Sequence, residues 1–289
     1  APLAYYIGGT FMLLGFDALL ATKIMMALGV VLAGVFMYLL SREFFGNLGG
    51  IISGLFYVYA PYHAVDIYVR GDVAEFWAYA FIPLVFFGIY KRKILIGSIG
   101  FAGLILLHNL TAMMVTPFLL IAILLNCYID FRKKQFSFLN SHFSILILGL
   151  ALSAFYWIPA LLEMKYTNVL SQIGGGADFR DHFVCIPQLW DSLWGFGGST
   201  PTCIDGLSFK IGKLHIIASL VAIVLTIFIA KIRKSKQGLI IILSFLGFLL
   251  SIFLMLEISK FIWQMFPAMD FFQYPWRFLL LSSFFSSLL

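Results

Sequence analysis

Long apolar runs alternate along this chain with short polar junctions. The runs fall at roughly 20–41, 46–61, 73–90, 94–107, 110–127, 141–160, 213–230, 238–256 and 276–289, a pattern that predicts nine membrane-spanning helices. Each run is continuous, whereas the strands of a membrane barrel would alternate apolar and polar positions with a period of two. In lipid the backbone must find its hydrogen bonds within the chain, so continuous runs imply helices. The opening stretch from Leu3 to Leu14 is apolar but only about 18 Å long as a helix, too short to cross upright. It reads as a helix lying in the outer interface. The expected fold is all-α: a polytopic helical bundle of about nine spans plus this juxtamembrane helix.

Composition narrows the solvent. Of 289 residues, 62% are hydrophobic and 11% charged, with a mean hydropathy of +1.01. Soluble domains carry about 25% charged residues, and one water-soluble core of this size does not bury so much apolar surface. The junctions Arg42–Asn47, Lys91–Lys93, Cys127–Asn140 and Lys231–Gln237 hold eleven Lys/Arg against two acids, Glu43 and Asp130. That asymmetry places them in the cytoplasm. The net charge of +6 is therefore topological, and no nucleic-acid partner is inferred. The chain reads as a single transmembrane domain, 1–289, in the cell membrane. Its hydrophilic segments face outside: 161–212, the large extracytoplasmic loop, with Glu257–Arg277 and Tyr62–Glu75. The run Gly174–Gly176 reads as a flexible turn. The start at Ala1-Pro2 and the stop inside the last apolar run imply a fragment of a longer chain.

Charges inside spans mark function, and here they are nearly absent from the midplane, which argues against an ion-coupled transporter. Ionisable groups gather instead at outer span ends: Asp66, Arg70, Asp72, Glu75, His108, Glu163, His215, Glu257, Asp270 and Arg277. Within Tyr68–Glu75, Asp72 suits an N-cap with Glu75 at N3, which accounts for both acids without catalysis. Arg70 beside that helix start suits a phosphate. His108 is either part of a turn in which Asn109 caps the next helix, or a donor to the same phosphate. Arg277, in Phe272–Arg277, belongs either to an interfacial aromatic and basic belt or to the site. Asn109-Leu110-Thr111 matches a glycosylation sequon, at a position too close to the membrane for use. Cys127 should be a free thiol, whereas Cys185 and Cys203 share the large loop and form a disulfide candidate. No CxxC or His/Cys ligand spacing is present, so no metal ligands are assigned. No cofactor is implied, and a divalent metal is left open.

Several stretches together resemble known membrane proteins. Pro2-Leu3-Ala4-Tyr5-Tyr6 with Leu13-Leu14-Gly15 is similar to the juxtamembrane region of GT-C-type membrane glycosyltransferases. Tyr68–Glu75, Leu107-His108-Asn109, Trp157–Glu163, Trp190–Ser199, Ser208–Gly212 and Gln273–Phe278 resemble the polytopic family named 6-pyruvoyl-tetrahydropterin synthase-related. Nothing here looks like the soluble pterin synthase with its His-rich zinc site. The resemblance implies transfer of a sugar from a polyprenyl-phosphate donor on the outer face. It also implies that the first span and the first outer loop, which carries the key acid, lie upstream of residue 1, and that Arg70, Asp72, Glu75, His108 and Arg277 are the donor-phosphate or substrate-binding candidates. The alternative is a non-catalytic scaffold or lipid-binding protein; a transporter ranks third.

The charge asymmetry makes a prediction of its own. A cysteine placed at Ser235 should be shielded from impermeant thiol reagents in intact cells. Labelling from outside would reverse the orientation.

Overall fold

The computed structural model describes residues 1–132, 139–168, 171 and 177–289. The run Gly174–Gly176 and the basic pair Lys133–Lys134 lie outside the described residues. The described chain is helical, without a β-strand. Its helices are α1 Leu3–Leu13, α2 Ala18–Val58, α3 Pro61–Val65, α4 Val73–Lys91, α5 Ile94–Leu107, α6 Asn109–Arg132, α7 Leu139–Leu152, α8 Ala154–Leu162, α9 Ile186–Trp190, α10 Lys213–Phe228, α11 Ala230–Arg233, α12 Lys236–Met255, α13 Lys260–Met265 and α14 Leu279–Ser287.

Every apolar run falls on helix, but the expectation of nine spans is not met. Four helices are long and apolar enough to cross a membrane: Ala18–Val58, Val73–Lys91, Asn109–Ile129 and Lys236–Met255. A fifth is added if α7 and α8, bent by 68° to each other, make one broken span. The physical reasons differ from run to run. The first two runs follow each other with no loop between them, the helical stretch α2 being broken only at Gly46, whose φ of 72° and ψ of −176° are non-helical and suit glycine. Helices α5 and α10 have 14 and 16 residues, about 21 and 24 Å against a hydrocarbon core of about 30 Å. Helix α14 has only nine residues, all of them buried.

The chain divides into two compact units, Ala1–Glu43 with Asp72–Glu163 and Phe44–Gly71 with Met164–Leu289. In the first, α5 is the central helix, packing on α1, α4, α6 and α7. Small residues permit this. A Cβ on Gly88 of α4 would run into the backbone of Gly97, and one on Gly100 would meet the backbone of Val85 at 2.9 Å. Close helix approach through glycine is the way membrane helices gain dispersion contacts when no hydrophobic effect drives them together. At the break between α7 and α8, Ser153 Oγ donates to Gly149 O at 2.9 Å and Trp157 Nε1 to Leu150 O at 2.9 Å. Carbonyls released by the bend thus keep partners.

The second unit repeats that device. Trp263, fully buried, is ringed by Phe179, Phe183, Phe272 and Phe278 and donates through Nε1 to Leu254 O at 3.1 Å. His63 Nδ1 bonds Val58 O at the end of α2 at 2.9 Å. Burial pushes the His63 imidazole down to about 4, the bond to Val58 O opposing it. Helix α12 packs on α10 and α14. Residues 177–212 are clipped by the disulfide Cys185–Cys203, Cα atoms 5.6 Å apart, and gathered on Asp205. That carboxylate accepts from Ser192 Oγ at 2.6 Å, Gln188 Nε2 at 2.8 Å and Leu193 N at 3.1 Å. Burial alone would raise its pKa; these bonds and the Lys210 charge outweigh that and hold it below the usual range.

Two outcomes follow. Gly88→Val, whose side chain would meet the α5 backbone at Gly97, should destabilise the protein by about 1–3 kcal/mol through overpacking, read as earlier thermal unfolding in detergent; an unchanged midpoint would refute the close α4–α5 approach. Because His63 holds its proton less tightly when folded, the unfolded chain gains a proton first as pH falls from 6.5 towards about 4. Stability should therefore decline across that window. The decline should be shallower in His63→Asn, and an equal slope in the variant would remove His63 as its source.

Candidate functional site

Two clusters emerge, one in each unit. In the second unit, the chain leaves α3 through a single π-turn, Asp66–Arg70, closed by Gly71 at φ 60°. π-turns are rare and concentrate where side chains must be re-aimed. Here the turn stacks Asp66 and Arg70, four residues apart. Arg70 Nη1 donates to Asp66 Oδ1 at 2.6 Å and to Tyr62 Oη at 2.8 Å. Its side chain is 10% exposed and that of Asp66 2%, so the pair is largely desolvated and holds the guanidinium in one orientation. The guanidinium carbon lies 4.9 Å from the Trp276 ring centroid.

Trp276 and Arg277 belong to a 3₁₀ turn, Pro275–Phe278, that leads into α14. Tyr274, extended at φ −125° and ψ 106°, precedes the turn. Tyr274 and Trp276 stack with centroids 5.2 Å apart, and Arg277 lies over Tyr274 at 5.3 Å. Arg277, 9% exposed, donates through Nη1 to Phe272 O at 3.0 Å. His182 completes the group. Its ring meets Tyr274 edge-on at 4.8 Å, and its Nδ1 lies 2.8 Å from Ser199 Oγ. His182 follows a 3₁₀ turn that Asp178 caps, accepting from Arg180 N at 2.9 Å and Arg180 Nη1 at 2.7 Å.

These side chains line a cavity of about 440 Å³, with Val69, Gly197, Gly198 and Leu207. Two buried cations, a histidine and a serine hydroxyl face a space large enough for a phosphorylated headgroup. The indole N–H of Trp276 is buried and has no hydrogen-bond partner among the described residues. A buried donor without an acceptor is uncommon.

In the first unit, Asp72 caps α4, its Oδ1 accepting from Glu75 N at 3.0 Å, as the capping reading expects. Glu75 is 1% exposed. The next helix start departs from expectation. Asn109 Oδ1 bonds only its neighbour Leu110 N, and the residue in the capping position of α6 is His108, whose Nδ1 accepts from Thr111 N at 3.3 Å. The same Nδ1 lies 2.8 Å from Thr111 Oγ1 and 4.0 Å from Glu75 Oε2. Ligand atoms of Asp72, Glu75 and His108 lie within 4.8 Å of one another. Among the described residues this is the group able to hold a metal ion. Sequence spacing could not show it, because His108 arrives from another helix junction.

The five candidates thus sort into Arg70 with Arg277, and Asp72 with Glu75 and His108. His182, Ser199 and Trp276 were not singled out from sequence. The one available signal was the spacing of Asp66 and Arg70. No family model, curated protein or solved structure matches the chain.

The buried ion pair generates a prediction. Asp66→Asn should cost about 3 kcal/mol, the scale for stripping one partner from a buried pair, seen as earlier thermal unfolding. Adding Arg70→Met should recover part of that loss. A double variant no better than the single would show that Asp66 does not serve Arg70.

Proposed function

We propose that this protein is a multi-pass membrane glycosyltransferase of the GT-C type, similar to the 6-pyruvoyl-tetrahydropterin synthase-related group. It takes a sugar from a polyprenyl-phosphate donor on the extracytoplasmic face of the cell membrane. The observation that carries the reading is the cavity lined by Arg70, Arg277 and His182. Transfer from a lipid phosphate needs a cradle for the leaving phosphate, because negative charge grows on it as the glycosidic bond breaks. Guanidiniums fixed in advance by Asp66, Tyr62 and Phe272 O meet that need without reorganisation at the moment of reaction. His182, with Ser199 at its Nδ1, adds a proton-transfer group on the same cavity.

A second reading keeps the same residues as structure alone. It draws on Arg70 being neutralised within its own turn and on Asp72 serving as an N-cap. In that case the protein is a non-catalytic membrane scaffold or lipid-binding protein.

Full-length protein in native membranes, supplied with radiolabelled polyprenyl-phosphate sugars, separates the two. The transferase reading expects label to leave the lipid, and Arg277→Ala or Arg70→Ala to lower the rate by about 10²–10³-fold, the scale for losing one donor to a developing charge. Insertion should stay intact, and Arg70→Ala, which strips Asp66 of its partner, counts only where thermal unfolding shows the variant folded. Variants that retain full transfer would remove the cavity from catalysis, and no transfer from any polyprenyl-phosphate sugar would favour the scaffold.

A further inference from the structure

Away from that cavity, the second unit has another concave site where α2 ends and α10 begins. About 540 Å³ of space is lined by Leu55, Phe56, Tyr59 and Pro61 on one side and by Lys210, Gly212, Lys213 and Leu214 on the other, with Asp191 and His215. We infer that this site holds an anionic phospholipid of the surrounding bilayer, its phosphate on Lys210 and Lys213 and its acyl chains along α2 and α10.

Charge and shape carry the assignment. His215 is spent on structure: its Nε2 bonds Phe56 O at 2.9 Å, and Gly212, at φ 111°, leaves its ring room, since a Cβ there would meet Nδ1 at 2.8 Å. The lysines remain. Lys213 reaches Asp191 at 3.5 Å, with both side chains largely in solvent. Lys210 is half-buried, and its charge acts on Asp205, a carboxylate already held by Ser192, Gln188 and Leu193 and not part of the cavity lining. Of the side chains that line the cavity, two are lysines and one is an acid, Asp191, a balance that suits a phosphate anion better than a zwitterion. The apolar wall continues beyond the cavity. Leu48 and Ile51 precede Leu55 by seven and four residues, and Ile217 and Val221 follow Leu214 by three and seven, so each set shares one helix face. All six side chains are exposed, from Ile217 at 48% to Leu48 and Leu214 at 71%. Because α2 ends at the cavity and α10 starts there, both stripes lead away from it, one for each acyl chain. Exposed Tyr59 and Trp190 beside it are residues that favour headgroup depth.

Native mass spectrometry of the detergent-purified full chain tests this with two probes of matched acyl length, phosphatidylglycerol and phosphatidylcholine. Phosphatidylglycerol should remain bound at energies that strip phosphatidylcholine. Its affinity should fall by about fivefold for each lysine removed in Lys210→Ser and Lys213→Ser, while Lys210→Arg keeps it. Leu55→Ser with Leu214→Ser should weaken lipid binding yet leave any binding of inorganic phosphate unchanged, which separates a lipid site from a free-anion site. Thermal unfolding like the wild type establishes that each variant is folded. Equal retention of the two lipids, or undiminished phosphatidylglycerol binding in a folded double-lysine variant, would overturn the assignment.

Discussion

A peptide carbonyl at a helix end in apolar surroundings has no water to turn to, and an orphaned one costs several kcal/mol. Much of this structure answers that constraint with long polar side chains folded back onto helix ends. His63 serves Val58 O, His215 serves Phe56 O, Trp157 serves Leu150 O, Trp263 serves Leu254 O and Arg277 serves Phe272 O. Each contact lets a helix stop or bend without leaving a bare acceptor. Interrupted helices can then make walls for cavities, which uninterrupted ones cannot.

The same economy explains why structural and candidate functional residues overlap. Arg277 caps a carbonyl and also lines the first cavity, since a guanidinium has five N–H groups to distribute. Arg70 likewise divides its donors between Asp66 and Tyr62 while its face meets Trp276. A lysine, with a compact ammonium and no planar face, would not fill both roles at either position.

The helical class and the position of every apolar segment were legible from hydropathy alone, because continuous apolar runs have one backbone solution in lipid. Asp72 as an N-cap was legible too, since capping is local. What stayed hidden depended on tertiary packing. Whether Lys213–Phe228 crosses a bilayer is a matter of two or three residues, below the resolution of a hydropathy window. The histidine that caps α6 displaced the asparagine expected there because its ring reaches the N3 amide from the preceding extended residue. His182 and Ser199 reach the cavity from a segment over a hundred residues beyond Arg70, so no spacing could have linked them to it. Asp66 was visible only as one acid among many at span ends, and its partnership with Arg70 rests on a backbone form that sequence does not announce.

That backbone form is the π-turn over Asp66–Arg70. Relative to an α-helix it accommodates about one additional residue in a turn, and each residue of an α-helix rotates the next by about 100°. Deleting one residue between Asp66 and Arg70 would let the segment relax to an ordinary helix and swing the guanidinium away from Trp276. Conversely, a single inserted codon in an ancestral helix would have been enough to turn an arginine inward. Chains otherwise alike in these helices should therefore differ in this cavity by an insertion or deletion of one residue rather than by substitution, a kind of change that alters pocket chemistry in one step.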